Sequence, residues 1–487
     1  MKMTGRFARI GVLAALVAVS LNMNRADSGE TENTTATPIA DQYRAAAERI
    51  IDTTLAGNEA YSKMEELCDD IGHRLSGSPQ LEQAVRWAAK AMKKDGQENV
   101  RLEPVMVPHW VRGKESLAMI APRPYHIPIL GLGGSVGTPP EGITAEVLAV
   151  RDEADLERLG EAARGKIVLF NNDMRVTHPG EKWNYGTAVR YRSIGARLAS
   201  EKGALACVIR SAASGSMRTP HTGAMRYGDA KVKIPAAAMS TEDADMITRL
   251  CARGVVVKLT LKMEARTLPD AESANVIGEL RGSTWPDEIV VMGGHIDSWD
   301  TGQGAHDDAG GCVAAMEAIN VLRKLNMRPK RTIRVVLWTN EENGLRGARN
   351  YAEVHADELA NHVVAIESDG GVFRPTGFGL ECKDDKRQAV AADQMRDILS
   401  LFSRFDATAL SLGRSGADVG PMKDAGVVLM GHRVEGSKYF YYHHSPADTL
   451  DKVDPEELSQ NVAVLATVAY VLADMPLRLG STAPTSD

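Results

Sequence analysis

The chain has 487 residues, of which 44% are hydrophobic and 25% are charged, a composition typical of a soluble globular protein with more than one domain. The formal net charge of -7 gives no electrostatic basis for binding nucleic acid, and the sequence has no polybasic cluster that would hold it to a membrane surface. These two classes of partner are therefore excluded.

The first segment has the pattern of a secretory signal peptide. Lys2, Arg6 and Arg9 precede an apolar run from Ile10 to Leu21, which is too short to span a bilayer and ends among small residues suited to cleavage. We predict a signal peptide over residues 1–26 and an exported product, secreted or periplasmic, or lumenal in a eukaryotic cell. The alternative is an uncleaved membrane anchor, but such anchors usually have longer apolar cores.

Residues 40–125 are predicted to be helical at first and extended later. Ser78 is a good N-cap with Pro79 at the first helical position, and Gly96 ends the helix that begins there. The residues from Val100 to Val107 then alternate like those of a strand. We expect this region to form the first part of the main domain.

The character of the sequence changes over residues 131–265. Glycines open this segment, and short predicted strands follow at Ala145 to Val150, Lys166 to Phe170 and Ala204 to Ile209, with a helix from Val189 to Lys202. No cluster of carboxylates and histidines falls here. The segment is where an inserted domain would lie, and the main domain resumes over residues 266–478.

The stretch from Gly293 to Gly311, GGHIDSWDTGQGAHDDAGG, gives the strongest chemical signal. The apolar run Glu288 to Met292 enters it and predicts a buried parallel strand, so His295 lies at the carboxyl end of that strand. Asp307 and Asp308 are predicted to open the next helix, whose dipole favours a carboxylate there. An imidazole and a carboxylate facing one crevice of an open α/β sheet indicate a divalent metal.

Three further segments end in similar donors: Glu341 and Glu342 follow the predicted strand Arg331 to Thr339, Asp369 follows the strand His362 to Ile366, and His443 and His444 follow Tyr439 to Tyr442. Adjacent carboxylates repel each other unless one binds a metal while the other holds a proton or a water. Nitrogen and oxygen donors together fit zinc better than magnesium or calcium. The candidate ligands are His295, Asp307, Glu342, Asp369 and His444.

As a group these motifs resemble those of a known enzyme family. GGHIDSWD and GAHDDAGG, followed by NEENG, ESDGG and HHSPADT, are similar to the motifs of the co-catalytic zinc exopeptidases, which include bacterial aminopeptidases and glutamate carboxypeptidases. The likeness is greatest to the plasma glutamate carboxypeptidase branch. It extends to IGHRLSGS at Ile71 to Ser78 and to ENVRLEPVMVPHWVRG at Glu98 to Gly113, and covers nearly the whole chain after the first forty residues.

The resemblance implies the zinc exopeptidase fold, an α/β fold with a helix-flanked, mainly parallel mixed sheet and a protease-associated domain inserted at residues 131–265. It implies two zinc ions per chain bridged by Asp307, with His295 and Asp369 completing one site and Glu342 and His444 the other. Members of the family also form homodimers. The expected substrates are short peptides or dipeptides, with no nucleic acid and no membrane as partner after signal removal.

The resemblance also implies roles for three neighbouring residues. Glu341 would be the general base acting on a zinc-bridging water, and Asp297 would orient the imidazole of His295. His443 takes the place where some relatives carry a tyrosine that donates to the oxyanion. His306, directly before Asp307, has no role that the sequence explains.

Several alternatives stay open from the sequence. The chain could be an aminopeptidase proper, a single-zinc acyltransferase like the glutaminyl cyclases, or a non-catalytic binding homologue, although the complete donor set with Glu341 argues against the last. Nothing in the spacing shows which peptide terminus is recognised. A glycine-bearing loop with Arg414, Ser415 and Asp418 is one candidate for holding it, and Arg74 offers either substrate contact or local loop hydrogen bonds with equal weight.

The five cysteines, Cys68, Cys207, Cys251, Cys312 and Cys382, form no C-x-x-C pair. An exported chain can form one or two disulfides, and an odd count leaves at least one thiol without an intramolecular partner. Cys312 lies on the apolar face of its predicted helix and is expected to be plain core.

Overall fold

The computed structural model describes residues 38–174, 185–215 and 217–483. The predicted signal peptide, residues 1–26, lies outside these ranges. Within them, no helix combines the length and the apolar character needed to cross a membrane.

The described residues form sixteen strands in two sheets. In chain order they are β1 (Glu98–Val111), β2 (Glu115–Ala121), β3 (Tyr125–Ile127), β4 (Ile129–Gly131), β5 (Ile143–Val150), β6 (Ile167–Phe170), β7 (Ala206–Arg210), β8 (Ala236–Met239), β9 (Lys258–Met263), β10 (Arg266–Leu280), β11 (Trp285–His295), β12 (Arg331–Trp338), β13 (His362–Glu367), β14 (Pro375–Glu381), β15 (Ala409–Leu412) and β16 (Val428–Val434).

Eleven α-helices occur in the same ranges: α1 (Ile39–Ala56), α2 (Ala60–Glu65), α3 (Pro79–Lys94), α4 (Glu153–Leu159), α5 (Tyr185–Glu201), α6 (Thr241–Ala252), α7 (Gly310–Lys324), α8 (Arg346–Val354), α9 (Asp385–Leu399), α10 (Tyr439–Tyr442) and α11 (Pro455–Asp474). Two π turns, Glu66–Ile71 and Ala305–Ala309, and five 3₁₀ turns complete the list. The latter are Gly160–Ala163, Leu359–Asn361, Ser400–Phe405, Gly420–Ala425 and Leu450–Lys452.

The first sheet has the strand order β1-β10-β12-β11-β13-β16-β14-β15. Its central strands β12, β11, β13 and β16 run parallel to one another, and β1, β10 and β14 join by antiparallel pairing. The mixed, mainly parallel sheet predicted from the sequence is confirmed. Its parallel centre matters for the site, because the carboxyl ends of β11, β12 and β13 meet at one edge.

Helices cover both faces of this sheet, as the apolar strands require. Val290 and Met292 of β11 pack into a core shared with α1, α2, α3, α7, α9 and α11, whereas Ile289 and Val291 face a smaller core with Tyr351 of α8. Successive side chains of a strand point to opposite faces, so one apolar run supplies both cores. Each fully buried aliphatic side chain stabilises the fold by about 1.5–3 kcal/mol.

The second sheet, with the order β3-β2-β9-β5-β6-β7-β8-β4, draws its strands from residues 115–263. Strands β5, β6, β7 and β8 are parallel, and helices α4, α5 and α6 accompany them. Two apolar cores lie against it, and one of them also includes Leu75, Trp110 and Trp299 from outside this segment. The described residues from Pro38 onward nevertheless form one compact unit, and the domain bounds read from the sequence stay a prediction.

Helix caps follow the predicted chemistry. Ser78 accepts a hydrogen bond from the backbone N–H of Leu81 at the start of α3, and Asp454 accepts from the N–H groups of Glu456 and Glu457 at the start of α11.

All five cysteines are free thiols, so the structure contains none of the disulfides that the sequence left open. Cys312 is buried in the main core, as predicted.

Candidate metal centre

The centre forms where three parallel strands end. His295 is the last residue of β11 and pairs in register with Trp338, the last residue of β12, while Glu367 ends β13 beside Gly293. The next residues along each strand therefore lie at one edge of the sheet. Loops after β12 and β13 carry Glu341 and Glu342 and Asp369, and the loop after α10 adds His443 and His444.

The other four predicted ligands gather around Asp307, two of them directly and two through a histidine. Its Oδ1 lies 3.2 Å from Nε2 of His295, and its Oδ2 lies 3.3 Å from Nε2 of His444. Oδ1 of Asp369 is 3.6 Å from the same nitrogen of His295, and Oε2 of Glu342 is 2.9 Å from Nε2 of His444. Two imidazoles and three carboxylates thus form two groups that share one aspartate.

Unpaired donor atoms within the cluster fit a metal site. Nε2 of His295, Oδ2 of Asp307, Oε1 of Glu342 and Oδ1 of Asp369 are buried and have no hydrogen-bond partner. Buried polar atoms are almost always satisfied, and four orphans in one cluster of nitrogen and oxygen donors are explained by cations that they bind. The residues present therefore fit zinc.

The pKa shifts within the cluster also fit a metal site. Burial raises the pKa of Asp307, Glu341 and Glu342, and repulsion among the carboxylates adds to that shift. Burial, His443 and a nearby arginine lower the pKa of His444, which favours the neutral imidazole that binds metals. Bound divalent cations would stabilise the ionised carboxylates and so reverse the raised pKa values.

Asp297 lies beside the imidazole of His295 and also contacts the loop after β12. Nδ1 of His295 is 3.0 Å from the backbone oxygen of Asp297, whereas the carboxylate lies 3.7 Å from that nitrogen. The carboxylate instead accepts the backbone N–H groups of Glu341 and Glu342 at 3.0 and 3.3 Å. The main-chain oxygen is the nearer partner of the imidazole, the side chain holds the backbone of the two glutamates, and the orienting role of the carboxylate stays a prediction.

The predicted helix start at Asp307 and Asp308 is wrong. The backbone of Asp307 has φ -128 and ψ 81, that of Asp308 has φ -135 and ψ 43, and α7 begins only at Gly310. The reason is that both residues are held from outside the helix. The carboxylate of Asp448 accepts the N–H groups of His306 and Asp307 at 2.8 and 3.2 Å, which aims Asp307 at the imidazoles.

Asp308 braces the strand end against the helix start. Its carboxylate accepts the N–H of His295 and the N–H of Gly311, each at 3.1 Å. A side chain at Gly294 would meet Oδ2 of Asp308 at 2.0 Å, so glycine is required there. This role of Asp308 was not predicted from the sequence, and the paired glycines on both sides of the motif were the available signal.

Arg74 secures the loop that joins His295 to Asp307. Its guanidinium is fully buried and donates to the backbone oxygens of Ile296, Gln303 and Gly304 at 2.8, 2.7 and 3.1 Å. The backbone oxygen of Gly72 accepts a fourth bond. Of the two readings left open by the sequence, local hydrogen bonding is correct, because every one of these acceptors is a main-chain carbonyl.

The two adjacent histidines differ in their contacts. Nε2 of His444 lies close to both Asp307 and Glu342, whereas Nε2 of His443 approaches only Asp307, at 3.8 Å. Their rings stack with centroids 3.6 Å apart, and His443 also contacts the rings of Tyr185 and Tyr439. This arrangement agrees with His444 as the metal ligand, while the oxyanion role of His443 stays a prediction.

His306 has a structural explanation that its sequence position did not suggest. Its ring stacks on Phe373 with centroids 4.1 Å apart and lies parallel to Tyr442. Nδ1 accepts the N–H of Val372, and Nε2 lies 3.2 Å from the backbone oxygen of Lys452. His306 therefore anchors the segment that carries Asp307 to the surrounding loops.

The loop with Arg414, Ser415 and Asp418, proposed to hold a substrate terminus, is held by hydrogen bonds to two neighbouring strands. Glu367 accepts the backbone N–H groups of Ala417 and Val419 at 2.9 Å, and Asp418 is fully buried. Ser415 donates to Glu381, and Arg414 is exposed. The carboxylate of Asp418 is too deeply enclosed to contact a peptide in this conformation.

The fold and the site together define a metal-dependent α/β enzyme. Residues 275–469 match the sequence profile of Peptidase family M28. Carboxypeptidase Q of Homo sapiens is 43% identical over 420 residues, which cover 86% of each chain. The crystal structure of a Peptidase M28 precursor from Shewanella amazonensis is 36% identical, with a TM-score of 0.84, and covers 91% of this chain and 100% of its own.

A zinc aminopeptidase from Bacillus subtilis has the same fold at 22% identity, with a TM-score of 0.63 over 85% of this chain and 95% of its own. The shared fold of this more distant enzyme is consistent with the family that the sequence identity to carboxypeptidase Q indicates. The chain therefore belongs to Peptidase family M28, and it is a zinc metallopeptidase.

Proposed function

We propose that this zinc metallopeptidase is an exported exopeptidase that holds two zinc ions per chain and hydrolyses short peptides, dipeptides among them. The observation that carries the proposal is the position of Asp307 between two imidazoles. One of its oxygens lies 3.2 Å from His295, and the other lies 3.3 Å from His444. A carboxylate with one oxygen directed at each histidine is suited to bridge two cations.

Two ligand groups follow from these contacts. His295 and Asp369 would hold one zinc together with Asp307, and Glu342 and His444 would hold the other with the same aspartate. Zinc in these places would acidify a water and polarise the carbonyl of the scissile peptide bond. Orphaned atoms lie on both sides of Asp307, which favours two ions over the single ion of a glutaminyl-cyclase-like acyltransferase.

We assign proton transfer to Glu341. Its backbone N–H is held by Asp297, and its side chain is partly exposed, whereas Glu342 is buried against His444. A carboxylate at the open edge of the cluster accepts a proton from the attacking water and passes it to the departing amine. Nearby cations would lower the raised pKa of Glu341 and leave it ionised for this step.

We further propose that the second sheet is a protease-associated domain and that it limits the length of the substrate. The loop at Thr222 is bonded to His444 in both directions: the N–H of Thr222 donates to the backbone oxygen of His444 at 2.9 Å, and the backbone oxygen of Thr222 lies 3.3 Å from Nδ1 of His444. These contacts close the cleft on the side of His444, so a longer polypeptide cannot extend past the metal centre there. Peptides that end near the centre suit this arrangement.

Export rests on the sequence of residues 1–26. Intact-mass measurement of the protein purified from its native host tests it. A mature chain that lacks about the first 26 residues supports export, and a chain that retains them contradicts it.

The test of the enzymatic proposal combines two measurements on one sample of the purified protein. Zinc is counted by elemental analysis, and hydrolysis is followed for an unblocked dipeptide, its N-acetyl form and its carboxyl amide. We expect two zinc ions per chain and cleavage of the unblocked dipeptide. One zinc ion with cyclisation of amino-terminal glutamine would support the cyclase alternative, and full zinc content without hydrolysis of any peptide would refute the exopeptidase.

A further inference from the structure

One cation from the second sheet's helices lies against the metal centre. Nη1 of Arg192 on α5 is 2.9 Å from the hydroxyl of Tyr185 and 3.2 Å from Nδ1 of His444. Its neighbours on the same helix, Arg190 and Arg197, form ion pairs with glutamates. Arg192 pairs with no carboxylate in the described ranges, although the cluster beside it is rich in them.

The guanidinium of Arg192 has an N–H group that no acceptor uses. Nε of Arg192 is buried and has no hydrogen-bond partner. When Nε2 of His444 binds a cation, its Nδ1 carries the ring proton, which the backbone oxygen of Thr222 accepts. The protonated Nδ1 cannot also accept from Arg192, so the hydrogen of Nε and the Nη1 hydrogen that does not bond Tyr185 are then left for another acceptor.

Tyr185 completes a pair of donors. Its ring stacks on Phe440 with centroids 4.8 Å apart and meets the edge of His443 at 5.5 Å, which fixes its position beside the centre. The hydroxyl accepts the bond from Arg192, so its own hydrogen is available to a further acceptor. A guanidinium and a hydroxyl held side by side are well matched to a carboxylate.

The position of Arg192 selects which negative group it meets. The guanidinium approaches Nδ1 of His444, the ring nitrogen that faces away from Asp307 and Glu342, so a whole imidazole separates it from the reacting water and carbonyl. A charge on the scissile carbonyl is therefore out of reach. The carboxyl terminus of a dipeptide lies one residue, roughly 3.5 Å, beyond the scissile bond and suits this distance.

The adjoining loop reserves space for the guanidinium. Gly223 has φ +141, and a side chain there would meet Cζ of Arg192 at 2.4 Å. The same loop carries Thr222, which accepts the proton of His444. Arg192 is thus enclosed between this loop and Tyr185 and presents its donors in a fixed direction.

We propose that Arg192, together with Tyr185, binds the terminal carboxylate of the peptide and makes the enzyme select substrates that end one residue after the scissile bond. This inference rests on the proposed function and deepens it, because it names the terminus that is recognised. In this assignment Arg192 determines the substrate specificity, and it changes neither the proposed zinc sites nor the proposed role of Glu341.

The test compares wild type with Arg192→Leu and Arg192→Lys on an unblocked dipeptide and on its carboxyl amide. Arg197→Leu, on the same helix, is the matched control. Wild type should prefer the free dipeptide by about 10- to 100-fold in kcat/KM, the worth of a hydrogen-bonded charge pair. Arg192→Leu should lose that preference, mainly through KM on the free dipeptide, and cleave the amide as wild type does. Arg192→Lys should recover part of it, and all variants should keep wild-type zinc content.

Three results would overturn the assignment. If Arg192→Leu lowers kcat/KM equally for both peptides, or loses zinc, then the residue only supports His444. If wild type cleaves the amide as fast as the free dipeptide, no carboxylate is recognised, yet the exopeptidase proposal survives. If zinc-loaded wild type cleaves neither peptide, the proposed function and this inference fail together.

Discussion

The carboxylate of Asp297 holds the backbone N–H of Glu341 at 3.0 Å, which ties the end of β11 to the loop after β12. The same carboxylate also accepts the N–H of Glu342. The proposed general base and one proposed metal ligand therefore share a single anchor. This relationship explains why the H-x-D spacing matters even though the imidazole of His295 is held by a main-chain oxygen.

Asp297→Asn should weaken zinc binding by roughly 10- to 100-fold, because the amide offers one acceptor oxygen where the two glutamate N–H groups need two. Competition with a chromophoric chelator measures the affinity. Asp287→Asn, at the exposed start of the same strand, is the control and should bind zinc as wild type does. Unchanged affinity in Asp297→Asn would show that the anchor is dispensable.

Asp307→Asn should prevent the pair of ions from assembling. Each oxygen of Asp307 faces a different histidine, and an asparagine keeps only one oxygen able to bind a cation. Elemental analysis should find at most one zinc per chain, with Asp451→Asn, an exposed aspartate, retaining two. Two ions in Asp307→Asn would contradict the bridging role.

Arg74→Met should destabilise the protein by about 3–5 kcal/mol, since four backbone carbonyls lose their donor in a buried place. Urea denaturation of the zinc-loaded protein measures the loss, and Arg86→Met on exposed α3 surface serves for comparison. A change below about 1 kcal/mol would mean that the loop between His295 and Asp307 holds itself.

Zinc affinity should fall on acidification. Burial raises the pKa of Asp307 and Glu342 in the metal-free protein, so these groups retain protons that zinc must displace. Calorimetry should show proton release on zinc binding and weaker binding at about pH 5.5 than at about pH 7.5.

The pH dependence of the folding stability has the opposite sign from that of the zinc affinity. A carboxyl whose pKa is raised in the folded protein stabilises it below the unfolded pKa, and this contribution is lost as pH rises through the folded pKa. The contribution of Asp307 and Glu342 to the stability of the metal-free protein should therefore fall as pH rises, and zinc should remove that contribution. Equal zinc affinity at both pH values would contradict both statements.

His295, Glu342 and Asp369 were predictable from sequence because parallel strands bring their carboxyl ends to one edge, and these donors lie at or just after strand ends; Asp307 and His444 follow no strand directly and were assigned from the family motifs. The supporting residues were not. Asp308, Asp448 and Arg74 act on backbone atoms that lie far along the chain or belong to loops, and a sequence does not display such contacts.

The helix start shows the same limit. Two consecutive aspartates before an apolar helix have the pattern of a first turn, and the dipole argument is sound for an isolated helix. Here Asp448 accepts the N–H of Asp307, the carboxylate of Asp308 accepts the N–H of His295 at the strand end, and the helix begins later. The second sheet's contribution through Arg192 was equally hidden, since a lone arginine on a helix has no distinguishing pattern.

The most direct test is the turnover of Glu341→Gln on an unblocked dipeptide, with zinc counted on the same sample. Glutamine keeps the size and the backbone contact to Asp297 but cannot accept a proton. We predict two zinc ions per chain and a loss of turnover of about 10²- to 10⁴-fold, with exposed Glu353→Gln as active as wild type. Turnover close to wild type with both ions present would contradict the account.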